Sequence, residues 1–292
     1  MHIRNPIEWV VAQFESPAII GSTPPEAYWP ATPQVGVGVP EVQEITLADL
    51  REAVRLGLHD FAAGRADWMF LWLIYPILAL FIAAAESRGS WLPFLFPTAA
   101  GFALIGPFCA VGLYEMSRQR EITGKLNWLD TFNVLRSPSI GAIASLGLLL
   151  IALFLVWLLA AQEIYDVTLG PTPPVSAWRF IQDLFTTPAG WAMIGLGWIV
   201  GAILAVSALA ISVVSFPLLL DRPVGLVTAI ATSVMAVRRN PVQLGLWGLL
   251  VVVALLLGAV PCFIGLVVVL PILGHSTWHL YRRIVLPPSV PV

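Results

Sequence analysis

The sequence predicts an all-α membrane protein built as a six-helix transmembrane bundle. Three observations support this fold class: few charged residues, long stretches with no charge at all, and an uneven distribution of the basic residues. The chain has 292 residues, of which 58% are hydrophobic and 11% are charged. Soluble globular domains have about 25% charged residues, so this composition is typical of a chain that is embedded in lipid.

The predicted spans are the long stretches that lack Asp, Glu, Lys and Arg. About 20 apolar residues in a helix cross a bilayer core. The last stretch, 240–281, would form a helix about 60 Å long, which is twice the required length. It is therefore predicted to be a hairpin that turns at 258–261, where glycine and proline end helices. The six predicted spans are 68–86, 91–114, 139–161, 190–216, 241–259 and 262–281.

The basic residues predict the orientation of these spans. An even number of spans leaves both termini on one side, and of the 15 Lys and Arg residues only Arg88 and Arg179 then fall on the other side. Cytoplasmic loops are enriched in Lys and Arg, so both termini are predicted to be cytoplasmic. Five spans would break this alternation.

Three segments organise the chain. Residues 1–45 contain seven prolines and scattered acids, and no basic region followed by an apolar core opens them, so a flexible cytoplasmic tail is predicted rather than a signal peptide. Residues 46–284 form the transmembrane domain, and 285–292 form a short C-terminal tail.

A helix with one apolar stripe is predicted before each odd-numbered span. The first begins at Thr46, with Asp49 three residues later as in a capping box. The second covers 127–136 and the third covers 224–239. Such helices lie in the membrane plane or cap a bundle, and together with the spans they indicate a weak threefold repeat of helix plus hairpin. The predicted stripes are Leu47, Leu50, Val54, Leu58 and Phe61; Leu129, Phe132 and Leu135; and Val227, Ile230, Val234 and Val237.

Three segments carry a resemblance to a known family. They are Leu95-FPTAAGFALIGPFCAVGLYEMSRQRE-Ile122, Ser215-FPLLLDRPVG-Leu226 and Gly265-LVVVLPILGHSTWHLYRRI-Val285. Together they resemble an uncharacterised bacterial family of predicted integral membrane proteins, known only as a domain of unknown function, over residues of about 45–285. The resemblance implies a multi-pass protein of the bacterial inner membrane and brings no reaction, substrate or catalytic residue.

The candidate site residues are His275, His279 and Glu115. The two histidines are four residues apart on the last predicted span and so share a face. Such a pair could ligate a metal or haem, or could hydrogen-bond to neighbouring helices. Glu115 closes the second span and could pair with an arginine or with either histidine. No catalytic residue, metal ligand set or resident cofactor is predicted.

The absence of a basic patch and of known catalytic motifs from the sequence does most to limit the possible function classes. A net charge of −2 with no basic patch speaks against nucleic acid, and neither a GxSxG elbow, a Walker loop, HExxH nor a dinucleotide fingerprint is present, so an enzyme is not predicted. The favoured hypothesis is an accessory, assembly or scaffold component of a membrane complex, which meets the lipid bilayer and a partner through its tail or cytoplasmic helices. The alternatives are a channel or transporter for a small neutral or apolar solute, and a His-ligated metal or haem protein.

Overall fold

The computed structural model of the protein describes residues 40–63, 95–172, 174, 176–259 and 265–286. Within these residues every regular element is a helix, which confirms the predicted all-α class. The extended backbone there pairs at a single antiparallel bridge between Val42 and Val285. The first predicted span, the turn of the last hairpin and most of the N-terminal tail lie outside the described residues.

Ten α-helices and one 3₁₀ helix follow one another in the described residues. A 3₁₀ helix, Trp128–Arg136, separates α3 from α4. The α-helices are α1 (Leu47–Ala63), α2 (Leu95–Cys109), α3 (Val111–Thr123), α4 (Ile140–Thr168), α5 (Ala177–Thr186), α6 (Pro188–Ser212), α7 (Ser215–Asp221), α8 (Leu226–Arg239), α9 (Pro241–Ala259) and α10 (Leu266–Ile284).

Three of the described helical stretches are long and apolar enough to cross a membrane, judged by length and composition. They are Ile140–Thr168, Pro188–Asp221 and Pro241–Gly258, the second of which joins α6 to α7. The segment predicted as the second span is instead divided between α2 and α3 at Ala110. The segment predicted as the last span forms α10, whose second half is too polar to belong to this set because it carries two histidines and two arginines.

The described residues group into two compact units. The first unit takes in 40–63, 107–148, 210–259 and 265–286, and the second takes in 95–106 and 149–209. In the first unit α1 packs along α10, and α3 packs against both α10 and the 3₁₀ helix. Its buried core includes Phe216, Leu219, Trp278 and Tyr281.

The start of α1 has the capping geometry that its sequence predicts. The Thr46 amide donates to Oδ2 of Asp49 at 2.8 Å, and the Asp49 amide donates to the Thr46 hydroxyl at 3.3 Å. These two bonds satisfy amides that have no partner within the helix. Oδ1 of Asp49 also accepts from Arg283 at 2.9 Å, so the same residue connects the start of α1 to the end of α10.

The buried face of α1 differs from its predicted apolar stripe. Leu47 and Leu58 of that stripe are 60% and 46% exposed. The face that α1 turns towards α10 is made instead mainly of small residues, because the two backbones approach closely at Gly57 and Ser276: a Cβ added to Gly57 would lie 2.7 Å from the Ser276 backbone nitrogen. Small residues allow such an approach, as they do between membrane helices. The buried face comprises Leu50, Ala53, Gly57 and Asp60.

A strap formed by residues 40–46 joins the N-terminal side of the described chain to its C-terminal end. The Gln43 amide donates to the Ile284 carbonyl at 2.9 Å, and the Leu286 amide donates to the Glu41 carbonyl at 3.1 Å. The side chain of Asn240, between α8 and α9, accepts from the Ile45 amide at 2.8 Å. This part of the predicted tail is therefore packed, and Val42 and Ile45 in it are buried.

The second unit is organised around Trp157 of α4. Its indole N–H donates to the Pro97 carbonyl in α2 at 2.7 Å. The same ring lies 3.3 Å from the position that a Cβ on Gly201 of α6 would take. The glycine thus leaves room for the indole, and one buried side chain contacts both neighbouring helices.

We predict that Gly57→Ala destabilises the protein by about 1–3 kcal/mol, because the added methyl group meets the Ser276 backbone, which cannot move without shifting α10. The midpoint of thermal unfolding in mild detergent measures the change. Gly245→Ala in α9 is the matched control, since a Cβ there meets nothing within 4 Å; it should leave the midpoint unchanged or raise it, because alanine is the better helix former. Equal midpoints for the two variants would refute the close crossing.

Candidate functional site

A cluster of polar side chains lies where α1, α3 and α10 meet in the first unit. Asp60 comes from α1, Ser117 and Arg120 come from α3, and His275 and His279 come from α10. The two histidines share a face of α10 because four residues separate them, as the sequence predicts. Asp60, Ser117 and both histidines are buried, so each of their polar atoms needs a partner within the protein.

The carboxylate of Asp60 holds this polar cluster together. Its Oδ2 accepts a hydrogen bond from the Ser117 hydroxyl at 2.6 Å and lies 2.8 Å from Nε2 of His279. Its Oδ1 accepts from the guanidinium of Arg120. One buried charge on α1 is therefore bonded to two residues of α3 and one of α10.

The surroundings of Asp60 favour its ionised form. Burial alone would raise the pKa of this carboxyl group, because a charge is poorly solvated there. Hydrogen bonds from His279 and Ser117, with the electrostatic influence of the two nearby imidazoles, oppose burial and hold the pKa of Asp60 below its ordinary value. The group is therefore a charged acceptor at neutral pH, and not a proton donor.

Ser117 also contacts His275, but not in the order that a nucleophile requires. Nδ1 of His275 lies 2.8 Å from the Ser117 oxygen. Because the serine has one hydroxyl hydrogen and donates it to Asp60, Nδ1 of His275 must be the donor in this contact. In a hydrolytic triad the imidazole stands between acid and serine and accepts the serine proton. Here the serine stands between acid and imidazole, so the arrangement fixes side chains and does not activate a nucleophile.

Further charged groups lie next to the cluster on its more exposed side. Nδ1 of His279 lies 3.8 Å from Glu121, which pairs with Arg282 at 3.1 Å. Arg282 also lies 3.5 Å from Asp221 at the end of α7. Tyr281 donates to the same carboxylate at 2.6 Å. These contacts bring α7 into the group of helices that the cluster connects.

Glu115, the third predicted site residue, lies in a separate buried pair on α3. Its Oε2 is 3.0 Å from Nε of Arg118, and its Oε1 accepts from the Gln119 side chain at 2.7 Å. All three residues are buried. The sequence leaves an arginine or either histidine open as the partner of Glu115. In the structure the partner is the arginine one turn along the same helix.

Metal ligation was the alternative for the histidine pair. Among the described residues, no group of three or more His, Cys, Asp and Glu side chains is placed to hold a metal ion. Nε2 of His279 and Nδ1 of His275 are both engaged with protein atoms. The described geometry therefore supports the other alternative, in which the histidines hydrogen-bond to neighbouring helices.

Sequence reasoning identified the two histidines but not the residues that organise them. Asp60, Ser117 and Arg120 are not among the residues that the sequence singles out for a site, since acidic, basic and hydroxyl side chains are mostly exposed. One signal was present: Ala53, Gly57 and Asp60 fall on one face of α1, and two small residues in line with an acid indicate a face that another helix approaches closely.

The comparisons with known proteins identify a family for part of the chain. Residues 95–221 match the family model described as "Predicted integral membrane protein (DUF2189)", a family of unknown function. This match agrees with the resemblance seen in the sequence. The match takes in Ser117 and Arg120 of the cluster but neither Asp60 nor the histidines. No curated protein matches the chain, and no solved structure does either.

We predict that Asp60→Asn destabilises the protein by about 2–4 kcal/mol, because Arg120 and His279 lose a buried charged acceptor. Asp60 contributes stability above the ordinary aspartate pKa of about 3.9, and this contribution is lost as the pH falls through the lowered folded-state pKa. Thermal unfolding measured against pH should show this acid-side loss in the unaltered protein and a flatter profile in the variant.

Glu52→Gln is the control for this prediction. Glu52 pairs with Arg55 at 2.6 Å on the exposed side of the same helix, and exposed pairs contribute little. We expect neither the unfolding midpoint nor its pH profile to change. A similar loss for both variants would show that Asp60 is not the organising group.

Proposed function

We propose that this protein is a non-enzymatic accessory, assembly or scaffold component of a membrane complex in the bacterial inner membrane, with six spans and both termini cytoplasmic. The observation that carries the proposal is the cluster around Asp60, in which buried polar side chains are bonded to one another and fix helices. A site that binds a substrate would instead direct such groups into a cavity. The cluster holds α1, α3 and α10 together as one rigid group of helices.

The strap supports an even number of spans. Gln43 and Glu41 are bonded through their backbones to Ile284 and Leu286, so the two ends of the described chain lie on the same side of any membrane that it crosses. Only an even number of crossings between them satisfies this condition. Three described helices are suited to crossing a membrane. In the proposed six-span arrangement, the other three spans are α10, the α2 region and the segment that precedes α2.

The threefold repeat is part of this proposal. The 3₁₀ helix precedes α4 through Arg136-Ser137-Pro138, and α8 precedes α9 through Arg239-Asn240-Pro241. Both junctions have a basic residue, a polar residue and a proline, in that order, and proline is well tolerated near the start of a helix. The described helix before the first predicted span is α1. In the second of the three repeats, the helix before the span is a 3₁₀ helix and not an α-helix.

Reporter fusions test the six-span topology. A fluorescent protein that folds in the cytoplasm should be bright when it is fused at the C-terminus or after Gly124, and alkaline phosphatase should be inactive there. After Gly170 the two reporters should exchange their results, because this loop follows the third predicted span. An active phosphatase at the C-terminus would refute the cytoplasmic location of that terminus.

Co-purification tests the accessory role. The tagged protein, taken from native membranes in mild detergent, should elute with a stoichiometric partner identified by mass spectrometry, because its surface is proposed to serve assembly. A variant that lacks residues 1–39 examines whether the tail or the cytoplasmic helices hold the partner, since the strap and all described helices remain. A single colourless species would refute the accessory role and favour transport, whereas a Soret band in the visible spectrum would favour haem.

A further inference from the structure

The helix α5 and the first turn of α6 carry an exposed patch of large apolar side chains in the second unit, which we call the aromatic patch. It consists of Trp178, Ile181, Phe185 and Trp191, which are 73%, 47%, 56% and 58% exposed. The first three are spaced by three and four residues and so share one face of α5. Trp191 joins them because its indole N–H donates to the Phe185 carbonyl at 3.1 Å and its ring meets that of Phe185 edge to face.

Three sectors divide the surface of α5. Each residue of a helix is rotated by about 100° about the helix axis from the one before it, so residues three or four apart share a side and each sector faces a different direction. One sector, with Phe180 and Leu184, is half-buried, and Phe180 contacts the Tyr165 ring at a centroid distance of 6.3 Å. The next sector is the apolar face with Trp178, Ile181 and Phe185. The third is exposed and polar, with Arg179, Gln182 and Thr186.

The ends of α5 are fixed beside two helices that are suited to crossing a membrane. The candidate span Ile140–Thr168 ends eight residues before Ser176, which caps α5 by accepting from the Arg179 amide at 3.3 Å. At its other end, Thr187 alone separates α5 from the candidate span that begins at Pro188. The helix is about 15 Å long and is therefore held near the membrane boundary.

We propose that the aromatic patch is a lipid-binding surface that lies in the interface of the bilayer, with α5 parallel to the membrane plane. Tryptophan and other aromatic side chains favour the depth between headgroups and acyl chains. An interfacial helix needs an apolar side towards the acyl chains and a polar side towards water, and the two exposed sectors of α5 supply these. The patch also continues through Trp191 into the exposed apolar surface of α6, which includes Trp198 and Ile199.

Lipid, and not a protein partner, is expected to cover the patch, because the same face is continuous with a surface that any spanning α6 turns towards acyl chains. A protein partner would have to cover both. The inference is independent of the proposed accessory role, since it concerns only the second unit and the bilayer around it.

Spin labels on the full chain test the proposal. In a background with Cys109→Ser and Cys262→Ser, one cysteine replaces Ile181 in the apolar sector and another replaces Gln182 in the polar sector. Each labelled protein is reconstituted in vesicles of phosphatidylethanolamine and phosphatidylglycerol. Collisions of the label with oxygen, which concentrates in the acyl region, are compared with collisions with a water-soluble nickel chelate.

We expect the two neighbouring label positions to give collision ratios on opposite sides of one. The logarithm of the oxygen-to-nickel collision ratio should be positive for Ile181→Cys and negative for Gln182→Cys. Negative values at both positions would overturn the proposal, because the patch would then face water. Exclusion of both reagents at position 181 would also overturn it, because protein would then cover the patch. If Ile181→Cys fails to fold, Phe185→Cys reports on the same sector.

Discussion

A single buried carboxylate, that of Asp60, determines how the first unit can be assembled. An ionised group out of water is tolerated only where partners surround it. The partners of Asp60 come from α3, 57 and 60 residues away, and from α10, 219 residues away. Three helices that are distant in sequence must therefore meet at one point, and the close crossing of α1 and α10 at Gly57 brings that point within hydrogen-bond reach.

The same cluster explains the two halves of α10. Its first half, Leu266 to Leu270, is apolar, and its second half is buried among polar groups of α1, α3 and α7. Such a helix suits a chain whose apolar residues contact lipid and whose polar residues meet inside the protein. The exposure of other side chains agrees with this division. Leu129 and Leu135 of the 3₁₀ helix and Val227 of α8 are exposed. In contrast, Thr232 and Ser233 of α8 are buried.

The helical class and several local details followed from the sequence, because they depend on residues that are close together. The capping box at Thr46 and the shared face of His275 and His279 are examples. The partners of the histidines did not follow, since nothing local in Asp60 or Ser117 indicates a contact across 158 or 219 residues. The prediction that the apolar stripe of α1 is its buried face was wrong for a related reason. Apolar spacing identifies the buried face of a helix that is surrounded by water. Here small residues form the buried face of α1, and Leu47 and Leu58 are exposed.

The strap has a consequence for the order of events during synthesis. Residues 41–45 find their partners at Asn240 and at 283–286, so the last of these bonds can form only after α10 has been synthesised. Asp60 likewise emerges long before His279, and until α10 is made its carboxylate lacks that partner. Contacts of such long range form late. Synthesis of α10 is thus the step that closes the first unit, and a nascent chain that stops short of it leaves α1 without the helix on which it packs.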